Sequence, residues 1–258
     1  VEGNGLAIDD LSDEALLRYS RHILLPQLDV AGQLKLAGSR VLILGVGGLG
    51  SAAAQYLAAS GVGHLLLADH DQVELSNLQR QVIHHQQTLG LPKVESAARA
   101  IALLNPHVRV EPLSRLLMEP ELSEKVALVD VVLDCSDNFE TRISVNRACI
   151  AAGKPLVSGA AIRLEGQVSV FDFRDPASPC YQCLYEVTGN DNLTCAQSGV
   201  LSPLVGVIGC TQAVEALKIL AGFGEPLVGR LQLYDAAQGR WRELKLRRDP
   251  ECAACGGR

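Results

Sequence analysis

Apolar residues recur along this chain in two distinct patterns. Residues 41–45, 64–69 and 129–134 are short runs dominated by Val, Leu and Ile, the pattern of strands buried on both faces of a sheet. Between and after them, helices are expected over 49–60, 93–104, 119–126 and 140–152, with a further strand at 108–112. The helix at 49–60 is built of small residues, and the one at 93–104 is closed by Asn105-Pro106. Nearer the start, Ser12 or Asp10 caps a helix with acids in its first turn. Residues 33–37 suggest a second short helix, stopped by Gly38. Strand, glycine turn, helix and strand make one βαβ unit, and the continued alternation predicts an open, mostly parallel sheet through about residue 157.

The pattern then changes. Residues 156–162 and 166–173 alternate apolar with polar, as an antiparallel hairpin does. Residues 174–200 are polar and interrupted, 203–221 read as a long apolar helix, and 231–234 with 241–246 form a last hairpin around Gln238-Gly239. The expected fold class is α/β, a Rossmann-like sheet with helices on both faces, extended by antiparallel strands. The expected organisation is one domain over 1–258, with a helical segment at 1–38, a nucleotide-binding core at 39–157 and a distinct portion at 158–258.

Composition supports this reading. Of 258 residues, 48% are apolar and only 4% aromatic, which suits a close-packed parallel sheet. The net charge of −6 argues against a nucleic-acid-binding surface as the main function. No apolar stretch reaches the roughly 18 residues needed to cross a bilayer, and the N-terminus lacks a secretory pattern. A soluble, cytoplasmic protein with no membrane partner is expected.

Gly45, Gly47 and Gly50 match G-x-G-x-x-G between a strand and a helix, where backbone approaches a ligand closely and the helix N-terminus offers free N–H groups to an anion. Asp69 ends the next strand, placed to accept from ribose hydroxyls. These features alone fit NAD, FAD, S-adenosylmethionine or ATP. Arg80 and Lys93 follow. Two cations there suit a triphosphate, whose departing pyrophosphate needs neutralising, although a solvated loop arginine and a helix-start lysine would read the same. Lys93 gains nothing from the helix dipole at its position, which tilts the reading towards function. Asp137 and Asn138 lie past a strand end; Asp137 suits Mg²⁺, and either residue could cap the next helix.

Eight cysteines divide by spacing. Cys180–Cys183 and Cys252–Cys255 are two C-x-x-C pairs, which together fill one tetrahedral Zn²⁺ site and leave no open position for catalysis. Cys135, Cys149 and Cys210 sit singly in apolar surroundings as small hydrophobes. Cys195 lies in the irregular segment, where reactivity depends on thiolate character. The six histidines show no metal spacing, and His84-His85 reads as a surface pair.

Taken together, Arg18-Tyr-Ser-Arg21, Gly45-Val-Gly-Gly-Leu-Gly50, Ser76-Asn-Leu-Gln-Arg80-Gln81, Pro92-Lys93, Asp134-Cys-Ser-Asp137-Asn138 and the two cysteine knuckles resemble the MoeB/ThiF family. Its members are relatives of the ubiquitin-activating enzymes that adenylate small ubiquitin-fold sulfur carriers. The likeness runs from about Ser12 to Gly257; residues 156–163 and 206–209 look closer to the molybdopterin branch, while 67–69 and 241–248 also look like the thiamine branch. The resemblance implies ATP held by Gly45, Gly47, Gly48, Gly50, Asp69, Ser76, Asn77, Leu78, Gln79, Arg80, Lys93, Asp137 and Asn138, with Asp137 placing Mg²⁺. It implies that Arg21, Arg80 and Lys93 surround the phosphates, Arg21 reaching across from the other subunit of a homodimer. Residues 158–258 would hold the carrier and the zinc. The carrier's C-terminal Gly-Gly carboxylate would attack the α-phosphate, and Cys195 matches a loop cysteine that links covalently to the carrier in some members. The sulfur donor is then expected to be a separate protein. Two rival readings remain: an NAD-dependent oxidoreductase, which leaves Arg21, Arg80, Lys93 and the knuckles without a task, and a non-catalytic carrier-binding scaffold.

Overall fold

The computed structural model describes residues 11–185 and 198–257; Cys195 and Asp10 lie outside them. Eight strands form one sheet: β1 (Arg40–Leu44), β2 (His64–Ala68), β3 (Arg109–Leu113), β4 (Val131–Asp134), β5 (Leu156–Ile162), β6 (Glu165–Phe171), β7 (Arg230–Asp235) and β8 (Arg240–Lys245). Their spatial order is β3-β2-β1-β4-β5-β6-β7-β8. The first five pair in parallel, and every pairing from β5 onward is antiparallel. The change comes at the tight turn Arg163-Leu164 between β5 and β6, where Ile162 pairs with Glu165.

Alternate residues of the central strands serve opposite faces, as the two-residue period requires. Val41, Ile43, Leu65, Leu67, Val131 and Leu133 join one core; Leu42, Leu44, Leu66, Ala68 and Val132 join the other. Unbroken apolar runs are what a sheet with two cores demands. The first face is covered by α4 (Gly48–Ala59), α5 (Lys93–Leu104) and the long helix α9 (Ser202–Ala221). The second is covered by α6 (Glu121–Ala127) and α7 (Phe139–Ala152), with the paired cysteines at its rim. The N-terminal segment supplies α1 (Asp13–Arg18), α2 (Ser20–Ile23) and α3 (Asp29–Gly38), and α8 (Tyr181–Leu184) follows β6. Ser12 caps α1 by accepting from the Ala15 N–H at 3.2 Å.

Two expectations need correcting. The helix α9 is 20 residues long with a mean hydropathy of 1.6 over its most apolar window, so a stretch long and apolar enough to cross a bilayer does exist. It is a core helix here: half of that window is buried, with Leu204, Val205 and Ile208 in the first core. The pair His84-His85 is not a surface pair either, because His84 is only 4% exposed.

The parallel order has a functional consequence. From β1 the chain moves to β2 on one side, and it returns to place β4 on the other. Leu44 and Asp134 end these neighbouring strands side by side, and the loops beyond them diverge. This is a topological switch point, where open α/β sheets hold ligands.

Candidate functional site

A cavity of about 430 Å³ opens at that switch point. One wall is the glycine turn. Gly45 has φ +86°, in the left-handed region, and a Cβ there would lie 2.8 Å from the Cys135 carbonyl oxygen. A Cβ on Gly50 would sit 1.9 Å from the Gly45 carbonyl oxygen, so α4 can follow β1 this closely only with glycine at 50. Both needs are structural; Gly45, Gly47 and Gly48 line the cavity, whereas Gly50 does not.

The turn is clamped from two directions. The Val46 N–H donates to Asp69 Oδ2 at 2.8 Å. The Val46 carbonyl meets His84 Nε2 at 3.0 Å, while His84 Nδ1 lies 2.9 Å from Ser96 Oγ. Burial pushes the His84 pKa below its ordinary value, outweighing the Val46 hydrogen bond that favours the charged ring. A neutral ring protonated at Nε2 satisfies the Val46 carbonyl. Asp69 also accepts from the Asp71 N–H at 2.9 Å, so its carboxylate organises the loop while facing the cavity; a carboxylate has about four lone-pair sites, enough to accept further hydroxyls.

Lys93 starts α5 with its side chain 7% exposed, and its Nζ is 2.7 Å from Asp71 Oδ2. Its N–H donates to the Asp71 carbonyl at 2.9 Å. Burial alone would raise the Asp71 pKa, but the Lys93 hydrogen bond and charge outweigh it and hold the carboxyl below its ordinary value. Arg80 donates to the Ser76 carbonyl at 3.1 Å and also lines the cavity, as do Asn77 and Gln81.

The opposite wall begins at Asp134. This buried carboxylate accepts from the Ser136 N–H at 3.0 Å, from Ser136 Oγ at 2.6 Å and from Ser158 Oγ at 3.2 Å. Asn138, not Asp137, caps α7: its Oδ1 accepts from the Thr141 N–H at 2.9 Å. Asp137 is left exposed at the cavity edge, with no hydrogen-bond partner among the described residues. Arg142, on the first turn of α7, is buried, lies 3.6 Å from Asp134 Oδ2 and donates to the Gly159 carbonyl at 3.0 Å and to that of Ser136. Burial works against its charge, yet Asp134, together with Tyr181 and Tyr185, more than offsets it and holds the guanidinium pKa above its ordinary value. The guanidinium also faces the Tyr181 ring at 6.0 Å, within cation–π range. Tyr181, Tyr185 and Phe139 cluster beside it and line the same cavity.

The cavity therefore gathers Gly45, Gly47, Gly48, Asp69, Asn77, Arg80, Lys93, Asp137 and Asn138. Ser76, Leu78 and Gln79 stand outside its lining, in and after the short 3-10 turn Leu75–Asn77. Arg21 is exposed on α2 and is likewise absent from the lining. Sequence reasoning missed Asp71, Gln81, Arg142 and Tyr181. Asp71 had a usable signal, since it stands two residues past Asp69 on the same loop. Arg142 had none, because its burial is set by packing of α7 against α8 and β4.

The four paired cysteines come together at the rim of the second core. Cys180 and Cys252 Sγ are 3.7 Å apart, Cys183 and Cys255 3.4 Å, and Cys180 and Cys183 3.8 Å. Four thiolates around one Zn²⁺ at about 2.3 Å would be spaced about 3.8 Å from each other, so this donor set fits a structural zinc. The Asp249 N–H lies 3.4 Å from Cys183 Sγ, the kind of outer contact that orients a metal-binding thiolate. Cys135 and Cys149 are buried free thiols and Cys210 is half-buried.

Comparison with known proteins agrees with this geometry. The ThiF family model matches residues 19–254. The molybdopterin-synthase adenylyltransferase of Escherichia coli strain K12 is 53% identical over 247 residues, covering 96% of this chain and 99% of that protein. The adenylyltransferase and sulfurtransferase MOCS3 of Sus scrofa is 49% identical over 251 residues, 96% of this chain and 55% of that protein. Among solved structures, E. coli MccB with ATP has a TM-score of 0.80 at 25% identity, covering 93% of this chain and 73% of that one.

Proposed function

The chain belongs to the ThiF family, and on that premise we propose that it is a molybdopterin-synthase adenylyltransferase. It uses ATP to adenylate the C-terminal Gly-Gly carboxylate of a small ubiquitin-fold sulfur carrier, preparing that carboxylate for conversion to a thiocarboxylate. The observation that carries this reading is the full-length likeness, 53% and 49% identity over 96% of the chain, to enzymes of that name from two bacteria. The cavity supports it with side chains suited to the ribose and the phosphates.

The triphosphate lies against the N-terminus of α4, where free N–H groups favour anions. Asp69 accepts from the ribose hydroxyls. Lys93 and Arg80 face the β- and γ-phosphates, and Arg21 completes the cage from the second subunit of a homodimer. The carrier's carboxylate oxygen attacks the α-phosphorus, the bond to the bridging oxygen of the pyrophosphate breaks, and an acyl adenylate remains. Negative charge builds on the departing pyrophosphate, and cations placed beforehand stabilise it without reorganisation. Asp137 is the carboxylate free to hold Mg²⁺, which when bound neutralises phosphate charge. The thiolates of Cys180, Cys183, Cys252 and Cys255 bind zinc as a structural tie, and Cys195 is the residue assigned to covalent capture of the carrier.

An oxidoreductase reading gives Lys93, Asp137 and the cysteine cluster no work. The test is carrier-dependent exchange of labelled pyrophosphate into ATP. Exchange that requires the carrier, and falls by at least about a hundredfold in Lys93→Ala, is expected from the loss of one preorganised charge. Exchange at the wild-type rate in Lys93→Ala would remove Lys93 from the reaction, and no exchange with any Gly-Gly carrier would refute the function.

A further inference from the structure

One polar side chain in the cavity has no structural task. Gln81 follows Arg80 and is only 4% exposed. Its main chain is fully used: its N–H donates to the Asn77 carbonyl at 2.9 Å, and its carbonyl accepts from the His84 N–H at 3.1 Å. Its carboxamide has no hydrogen-bond partner among the described residues, and Oε1 is buried and unpaired. Leaving a buried carbonyl without a donor is costly, so packing alone does not explain a glutamine here. A leucine would fill the same space without that cost.

What the side chain offers is the other end of the amide, Nε2. Gly47 is the N-cap of α4 and offers no side chain to its orphan N–H groups. Gln81 Nε2 is the neighbour that a Cβ on Gly47 would meet, at 3.6 Å. Gln81, Gly47 and Gly48 line the same cavity. The amide thus stands beside the first turn of α4 as an additional N–H donor, on the side of the cavity that carries Arg80 and Lys93.

We infer that Gln81 is a nucleotide-binding residue whose carboxamide N–H donates to a phosphate oxygen held at the N-terminus of α4. This rests on the adenylation reading and adds to it a neutral donor among the charged ones. A neutral amide contributes direction without adding charge. It can favour one orientation of the phosphate chain while Arg80 and Lys93 supply the electrostatic attraction.

The test is direct titration of ATP with magnesium into the wild-type protein, Gln81→Leu and Gln81→Glu, alongside melting of each ligand-free protein. Gln81→Leu should weaken ATP binding by about tenfold or more, the scale of a hydrogen bond to a charged group. The same variant should melt at or above the wild-type temperature, because an orphan carbonyl has gone. Gln81→Glu keeps the shape and sets a negative charge against the phosphates, so its loss should be larger. ATP affinity within twofold of wild type in both variants would overturn the inference. So would a Gln81→Leu protein whose melting temperature falls along with its affinity, since the amide would then be structural. A wild-type protein that binds no ATP would refute the adenylation reading itself, which separates the two failures.

Discussion

Replacing Asp71 with asparagine removes one charge and keeps the shape. In the ligand-free protein the Asp71 carboxylate lies 2.7 Å from Lys93 Nζ, with Lys93 buried and Asp71 about half exposed. At that separation the gross attraction is about 1.5 kcal/mol at the dielectric of water and ~6 kcal/mol at the value typical near a protein surface. Desolvation of the lysine offsets much of it. An exposed pair is worth up to about 1 kcal/mol, and breaking a buried one costs ~3–5 kcal/mol. Asparagine can still accept one hydrogen bond from Nζ, so the expected loss is about 1–2 kcal/mol, or roughly 2–8 °C in melting temperature for a chain of this size. The effect on nucleotide binding should have the opposite sign. Phosphate oxygens would replace the carboxylate as the partner of Lys93, so a protein that has already lost the pair gives up less on binding. By linkage ATP affinity should hold or rise, by up to about tenfold for 1.4 kcal/mol. Calorimetric titration and thermal melts with and without ATP would measure both. A variant that loses stability and also binds ATP more weakly would refute the exchange of partners at Lys93. The acid side gives a second check. Lys93 holds the folded Asp71 pKa below its ordinary value, so the pair's contribution is complete above about pH 4 and disappears as pH falls through the lower folded value. Wild type and Asp71→Asn should converge in stability there.

Three further outcomes are expected. Cys252→Ser should reduce bound zinc well below one ion per chain by elemental analysis and lower the melting temperature of the reduced protein; full zinc content would remove this cysteine from the site. Burial depresses the His84 pKa, so this residue contributes stability above about pH 6.5 that is lost as pH falls through its lower folded value; denaturant melts at several pH values should show a shallower acid slope in His84→Gln, and an unchanged slope would refute the assignment. Burial, followed by the Asp134 charge, raises the Cys135 thiol pKa, and burial raises that of Cys149, so alkylation at pH 8 mapped by mass spectrometry should label both only after unfolding, because the thiolate is the nucleophile.

Much of the fold was legible because both sheet faces are covered. That cover demands unbroken apolar runs, and the runs mark β1, β2 and β4 without ambiguity. The first antiparallel hairpin was readable from its two-residue alternation, and the last from its turn at Gln238-Gly239. The site was legible where chemistry sits beside a local signal, as at Gly45, Asp69 and Lys93. It was not legible where a side chain's role depends on what packs over it. His84 looked like half of a polar pair, yet the Val46 carbonyl and Ser96 give its ring buried partners. Arg142 reads as an ordinary helix arginine until Asp134 and Tyr181 close around it. Gln81 belonged to a recognisable motif, but nothing in the motif says that its amide would lack a partner. The apolar stretch in α9 was hidden by its glycines and hydroxyl residues, which dilute a run that is hydrophobic on average.

The four-cysteine cluster also constrains the order in which the chain can reach its final form. Its halves lie 72 residues apart in sequence, and between them run α9, β7 and β8. Closing a loop of that length costs about 4 kcal/mol of chain entropy when a cross-link must bear it alone. The antiparallel pairing of β7 on β6 and of β8 on β7 offsets that cost, because it carries Cys252 and Cys255 back towards Cys180 and Cys183. Four-thiolate coordination of an ion at this cluster would therefore require the C-terminal half of the sheet to be assembled in register.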